Sequence, residues 1–244
     1  MFPIRDHNPS QRTPYVTIGL IFANLVMFVL TMPWGFDMAG LWDRFALYSL
    51  AVTNGDYLWG LVTHMFLHAG LMHFAGNMLF LWIFGDNLEE RMGHLPFLGF
   101  YLLCGLAAAA GQIAADPDSR IPMVGASGAI AGVMGGYLLL FPRAKVDVVA
   151  IIVIIIKIFT VPAWLMLGIW FAIQVFGGFS LTGTEDGGVA YWAHSGGFVA
   201  GVLLTLPLFL RLGGPRFWRA TDGHPPHAPL DYGHRSRIPQ VPRR

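Results

Sequence analysis

Two side chains have the types that a nucleophile and its base require, and each stands beside residues almost too small to have side chains. Ser127 lies in VGASGAIAGVMGG (Val124–Gly136) and His194 in YWAHSGGFVAG (Tyr191–Gly201). Gly128, Gly132 and Gly136 recur every four residues, as do Ala193, Gly197 and Gly201. Each set therefore lines one face of a helix. Small-residue faces let membrane helices approach almost to backbone contact. For one such helix alone, plain packing is the favoured reading. Two of them, one bearing a serine and the other a histidine, can bring a hydroxyl against the imidazole that would take its proton.

The elements that must position this pair are apolar helices. Of 244 residues, 55% are hydrophobic and 12% charged, with a mean hydropathy of +0.57. Soluble domains carry about 25% charged residues, so the composition points to an all-α, polytopic membrane protein. A span needs about 20 mostly apolar residues. Six candidates follow: Tyr15–Met32, Leu71–Phe84, Leu95–Ala115, Met123–Phe141, Pro162–Gly177 and Ala190–Leu210. Pro162 suits the first turn of a helix. Val146–Phe159 is interrupted by Asp147 and Lys157 and is too short to span; it reads as an interfacial segment or an extension of the fifth helix.

Six spans put both termini on one side. Of the 15 Lys and Arg residues, all but Arg44 and Arg120 fall on that side, which the positive-inside rule assigns to the cytoplasm. Three regions result: a cytoplasmic N-terminal segment (1–14), a six-helix membrane domain (15–210) and a Pro-, Arg- and His-rich cytoplasmic tail (211–244) read as disordered. The first apolar run lacks a small-residue cleavage site and reads as a retained helix. Pro33–Gly70 is rich in Trp, Tyr and Phe and is expected to lie partly submerged in the outer leaflet. Cys104, the sole cysteine, excludes an intrachain disulfide and sits in an apolar run that disfavours a thiolate.

This topology places Ser127 and His194 at one depth, each about four residues or roughly 6 Å into a helix entered from outside. Near that level the second helix carries HMFLHAGLMHFAGN (His64–Asn77). His73 and Asn77, four apart, share a face and suit a donor pair aimed at a developing oxyanion. Three histidines could instead hold zinc or haem, but no Asp or Glu lies inside a candidate span and HExxH is absent. His64 and His68 read equally well as interfacial or packing residues.

Taken in order, HMFLHAGLMHFAGN, GASG at Gly125–Gly128 and AHSGG at Ala193–Gly197 resemble the rhomboid family of intramembrane serine proteases. FGDNLEERMG (Phe84–Gly93) is similar to the family's turn after the second helix. The resemblance covers about 57–201. It implies Ser127 as nucleophile, His194 as general base, and an oxyanion site from His73, Asn77 and the Ser127 N–H. The implied substrate is a transmembrane segment of another membrane protein, unwound near its outer face and cut beside small residues.

Two departures from the family stand out: Ala131 where many relatives stack an aromatic on the histidine, and Gly60 after Trp59 where some have arginine. With no carboxylate placed as a third member, helix packing is expected to fix His194. No cofactor, metal or nucleic-acid partner is expected; the partners are the bilayer and its membrane-protein substrates. The expected location is a plasma membrane of bacterial type. The competing readings are a pseudoprotease that recognises membrane helices without cutting them, and a haem or metal protein.

Overall fold

The structure is a computed structural model that describes residues 2–8, 10–31, 38–152, 155–181 and 189–226. Six apolar helices form the body: α1 (Tyr15–Thr31), α5 (Leu71–Met92), α6 (His94–Ala115), α7 (Ser127–Leu140), α8 (Ala163–Leu181) and α9 (Tyr191–Arg211). Between α1 and α5 lie the short helices α2 (Met38–Phe45), α3 (Ser49–Thr53) and α4 (Gly60–Thr63), with a 3-10 turn at His64–Phe66. After α9 comes α10 (Pro215–Thr221). Among the described residues, α6, α8 and α9 are long and apolar enough to cross a membrane. The stretch from Gly60 to Phe66 with α5 passes as one span bent by 94°, while α1 and α7 are shorter. A polytopic helical fold is thus present.

The close packing of small-residue faces is realised, with one partner more than the sequence pattern suggests. A Cβ on Gly197 would strike the carbonyl of Gly128, and one on Gly201 the carbonyl of Gly132. The α7 and α9 backbones therefore touch directly. The third member is α6. Gly111 lies against the Trp192 carbonyl and Gly196, and Gly196 against the Ala107 carbonyl, with 3.0 and 3.1 Å available to an added Cβ at the nearest atom. On α7, Gly128 and Gly132 face Ala108 and Cys104 of α6. The run GLAAAAG (Gly105–Gly111) is a packing face in its own right.

A three-stranded antiparallel sheet closes one end of the helical body, in the order β1 (Phe2–Asp6), β2 (Lys145–Ile152), β3 (Ile155–Pro162). This corrects the reading of Val146–Phe159 as an extension of the fifth helix. The segment is dense in Val and Ile, whose branched side chains suit a pleated surface, and it pairs in register from Lys145↔Pro162 to Ile152↔Ile155. Pro162 ends β3 instead of starting a helix. Asp147, which interrupts the apolar run, anchors the sheet: its carboxylate accepts from Arg5 Nε (2.7 Å), His7 Nε2 (2.8 Å) and Thr160 Oγ1 (2.6 Å).

The stretch from 211 onward also differs from a structureless tail. Gly213 and Gly214 turn the chain with φ of +115° and +58°, and α10 follows, its Phe217 buried and its Trp218 Nε1 donating to the Leu139 carbonyl at 2.9 Å. The rest of that region, 227–244, lies outside the described residues, as does 33–37 of the aromatic-rich loop.

Candidate active site

Ser127 is the first residue of α7, not four residues into a helix as the sequence suggests. Residues 123–126 are instead held as a loop. Met123 pairs with Leu47 through reciprocal backbone bonds of 2.8 and 3.1 Å, and Gly125 N–H donates to the His64 carbonyl at 2.9 Å. Gly125 has φ +126°, a conformation that L side chains rarely adopt, and there is no room for one, because a Cβ would come within 2.8 Å of the His73 ring. This start has a chemical consequence. The first N–H groups of a helix have no intrahelical acceptor, so the helix leaves the Ser127 N–H without one, beside its own hydroxyl.

His194, on the first turn of α9, meets Ser127 directly: Nε2 lies 2.7 Å from Oγ, across 67 residues of sequence. The ring's other nitrogen is engaged as well. Nδ1 lies 2.8 Å from Oε1 of Gln174, a buried residue of α8. Trp170, one turn earlier on α8, places its ring 5.7 Å from the imidazole at a tilt of 36°. The expectation that helix packing alone fixes His194 is therefore corrected. Ala131 supplies no aromatic from α7, but α8 supplies both a ring and a hydrogen-bond acceptor. Among the described residues, no carboxylate touches the pair. The sequence signal for Gln174 was a lone amide in an apolar span, which is costly unless partnered.

On α5, the His73 ring lies over Gly125 and so close to Ser127. Its Nδ1 is within 3.4 Å of the Ala69 N–H. Asn77, one turn further along, is 7% exposed, and among the described residues its Nδ2 has no acceptor. Buried amide donors are normally paired, so an orphan donor on the same helix face as His73 calls for an explanation.

Of the other two histidines of this motif, His64 is hydrogen-bonded, while His68 is buried with neither ring nitrogen paired among the described residues. His64 Nδ1 lies 2.8 Å from the Gly60 carbonyl, and His68 packs its ring edge-on against His73 and Phe74 at 5.2 and 5.5 Å. Among the described residues, no three His, Cys, Asp or Glu side chains converge as metal ligands. The departure at Gly60 has a steric reason: a Cβ there would lie 2.8 Å from the Ala46 carbonyl. An arginine has no place at this position.

Two apolar helices of one bundle thus bring a serine and a histidine together across 67 residues of sequence. Residues 55–211 match the family model described as the Rhomboid domain, and the chain belongs to the rhomboid family. It is 31% identical over 178 residues to "Rhomboid protein 1, mitochondrial" of Saccharomyces cerevisiae, covering 67% of this chain and 48% of that one. It is 40% identical over 87 residues to "Rhomboid protease GluP" of Bacillus subtilis, covering 36% of this chain and 16% of that one. A third relative, "RHOMBOID-like protein 4" of Arabidopsis thaliana, is 31% identical over 162 residues, with 66% and 36% covered. The chain spans about half or less of the length of each.

Proposed function

We propose that this protein is an intramembrane serine endopeptidase that cleaves transmembrane segments of other membrane proteins. The observation that carries the reading is the 2.7 Å contact between Ser127 Oγ and His194 Nε2. Ser127 Oγ attacks the scissile carbonyl while His194 Nε2 takes the hydroxyl proton. The oxyanion that forms is met by the Ser127 N–H, the orphaned Nδ2 of Asn77 and His73. Collapse expels the amine, which receives the proton from His194 and leaves an acyl ester on Ser127. Water, deprotonated by the same imidazole, hydrolyses the ester and restores the hydroxyl.

A helical substrate must unwind before its carbonyl can be attacked, because that carbonyl is hydrogen-bonded along its own helix. Small or helix-weakening residues near the cut lower this barrier. The basic residues of the loops support an orientation with both termini cytoplasmic and the Ser127 end facing out. On this reading α1, α5, α6, α7, α8 and α9 all cross a bacterial-type plasma membrane. Residues 15–210 form the membrane domain, while the N-terminal segment and the stretch from 211 lie inside.

The test is incubation of the purified protein with a panel of single-span substrates, beside Ser127→Ala and His194→Ala. Wild type should cleave at least one substrate, and both variants should lose turnover while unfolding at nearly the wild-type temperature. Substantial residual cleavage by Ser127→Ala would overturn the assignment.

A further inference from the structure

We infer that Gln174 is a positioning residue that sets the tautomer and orientation of His194, making the pair a neutral Ser127–His194–Gln174 relay; this rests on the proposed protease reading. The direction of the Gln174 amide follows from its two contacts. One amide atom faces the Trp170 carbonyl at 3.2 Å. A carbonyl only accepts, so that atom must be the NH2 group. The amide oxygen then faces His194 Nδ1 at 2.8 Å, and an oxygen acceptor requires Nδ1 to carry the proton. Nε2 is left with its lone pair, 2.7 Å from Ser127 Oγ. The hydroxyl donates to it, which is the tautomer needed for proton abstraction. The opposite tautomer would set two acceptors against each other at Nδ1, and would make Ser127 Oγ accept from Nε2–H instead of donating to it.

The placement compensates for what α7 lacks. With Ala131 one turn after Ser127, nothing on that helix can clamp the imidazole. Gln174 and Trp170, four apart on α8, do so from the other side, and the bond between them fixes the clamp. A carboxylate in this place would also stabilise the imidazolium by charge. A neutral amide orients the ring without adding charge, as the asparagine does in cysteine proteases of the Cys-His-Asn type. Among the described residues, the charge environment of His194 is otherwise sparse. On α5, His73 is the titratable group that faces it. Ser127 of α7 and Trp170 and Gln174 of α8 carry no charge, and the half of α6 packed nearby, Gly105–Ala115, has no titratable residue.

The experiment compares wild type with Gln174→Leu and Gln174→Glu by two readouts. The first is the pH profile of kcat/KM on a cleaved single-span substrate. Gln174→Leu should lower kcat by about 10–10² with little change in KM, the scale expected for a misplaced catalytic group. Gln174→Glu should keep activity at high pH and shift the acid limb upward by about one unit or more, because a carboxylate beside Nδ1 favours the imidazolium. A side chain that only fills space would not move that limb.

The second readout needs no substrate: 15N resonances of the His194 ring, assigned by their loss in His194→Ala. Wild type should show one tautomer protonated at Nδ1, and Gln174→Leu a mixture. If wild type cleaves nothing, the protease reading fails and the ring resonances still decide the role of Gln174. If Gln174→Leu does not fold, the acid limb of Gln174→Glu decides it. An unmoved limb in Gln174→Glu, or a wild-type tautomer and rate in Gln174→Leu, overturns the inference.

Discussion

Toward the sheet end of the bundle, the buried Glu89 carboxylate is met by four donors; at the end holding Ser127 and His194, the buried Asn77 Nδ2 stands, among the described residues, without an acceptor. Glu89, 1% exposed, accepts from Val16 N (2.8 Å), Thr17 N (2.7 Å), Thr17 Oγ1 (2.7 Å) and His94 Nδ1 (2.5 Å). It thereby caps the first turn of α1 from a neighbouring helix, where free N–H groups and the helix dipole favour a negative charge. Asn77, by contrast, keeps a buried N–H without a partner among the described residues. The first arrangement lowers the energy of the resting fold. On the proposed reading, the second leaves it higher and is repaid when an oxyanion arrives, as in preorganised electrostatic catalysis.

If that contrast is right, variants at the two ends should separate stability from activity, except where packing serves both. Gly201→Val should have the largest effect because it strikes both properties. Its side chain would drive α9 away from the Gly132 carbonyl, and a displacement of about 1 Å near the reacting atoms can lower the rate on the order of 10²-fold. Thermal unfolding should also move to a clearly lower temperature. Leu203→Val, on the exposed side of the same helix, should change neither property much. A Gly201→Val protein with full activity and stability would dissolve the packing account.

Glu89→Ala should remove about 3–5 kcal/mol of stability, as deletion of one partner from a buried charged cluster does, while surviving folded protein keeps its turnover. Asn77→Ala should do the reverse: a rate loss of about 10²–10³, with no loss of unfolding temperature. Equal losses of stability in the two variants would erase the distinction.

Asp6→Asn should show the smallest effect, and only in part of the pH range. Burial raises the Asp6 carboxyl from its ordinary 3.8 to about 6, against the hydrogen bonds from Tyr137 and Asn87 that lower it. The fold therefore favours the protonated acid, a stabilisation fully present below pH 3.8 and lost as pH rises through 6. A neutral asparagine should raise stability at pH 7.5 by no more than about 3 kcal/mol, with little gain at pH 4. Asp147 has the opposite sign. Burial pushes its carboxyl up, but hydrogen bonds from Thr160, His7 and Arg5 outweigh that and hold it at about 2. Its contribution is present above pH 3.8 and lost as pH falls through 2. Hydrogen exchange along β1 and β2 measures both.

The site was more legible in the sequence than the fold that surrounds it. Ser127 and His194 could be paired because four-residue glycine spacing is a local pattern with one geometric meaning, and the α7–α9 contact follows from it. The part of α6 in that contact was hidden in an alanine run that reads equally well as generic apolar helix. The sheet was missed because Asp147 and Lys157 look like flaws in a span until the partners of Asp147 are known. Those partners, Arg5, His7 and Thr160, include two residues about 140 positions away, and no local pattern announces a strand paired at such distance. Gln174 escaped for a similar reason. Its contact with His194 depends on how two helices rotate against each other, which the spacing within either does not fix.

The most direct test of the central claim is mass-spectrometric mapping of a fluorophosphonate adduct on the protein in detergent. The account predicts an adduct on Ser127 in wild type, none in Ser127→Ala, and strongly reduced labelling in His194→Ala, where the base is gone. Labelling that persists undiminished in Ser127→Ala, or wild-type protein that cleaves substrate while Ser127 stays unmodified, would contradict it.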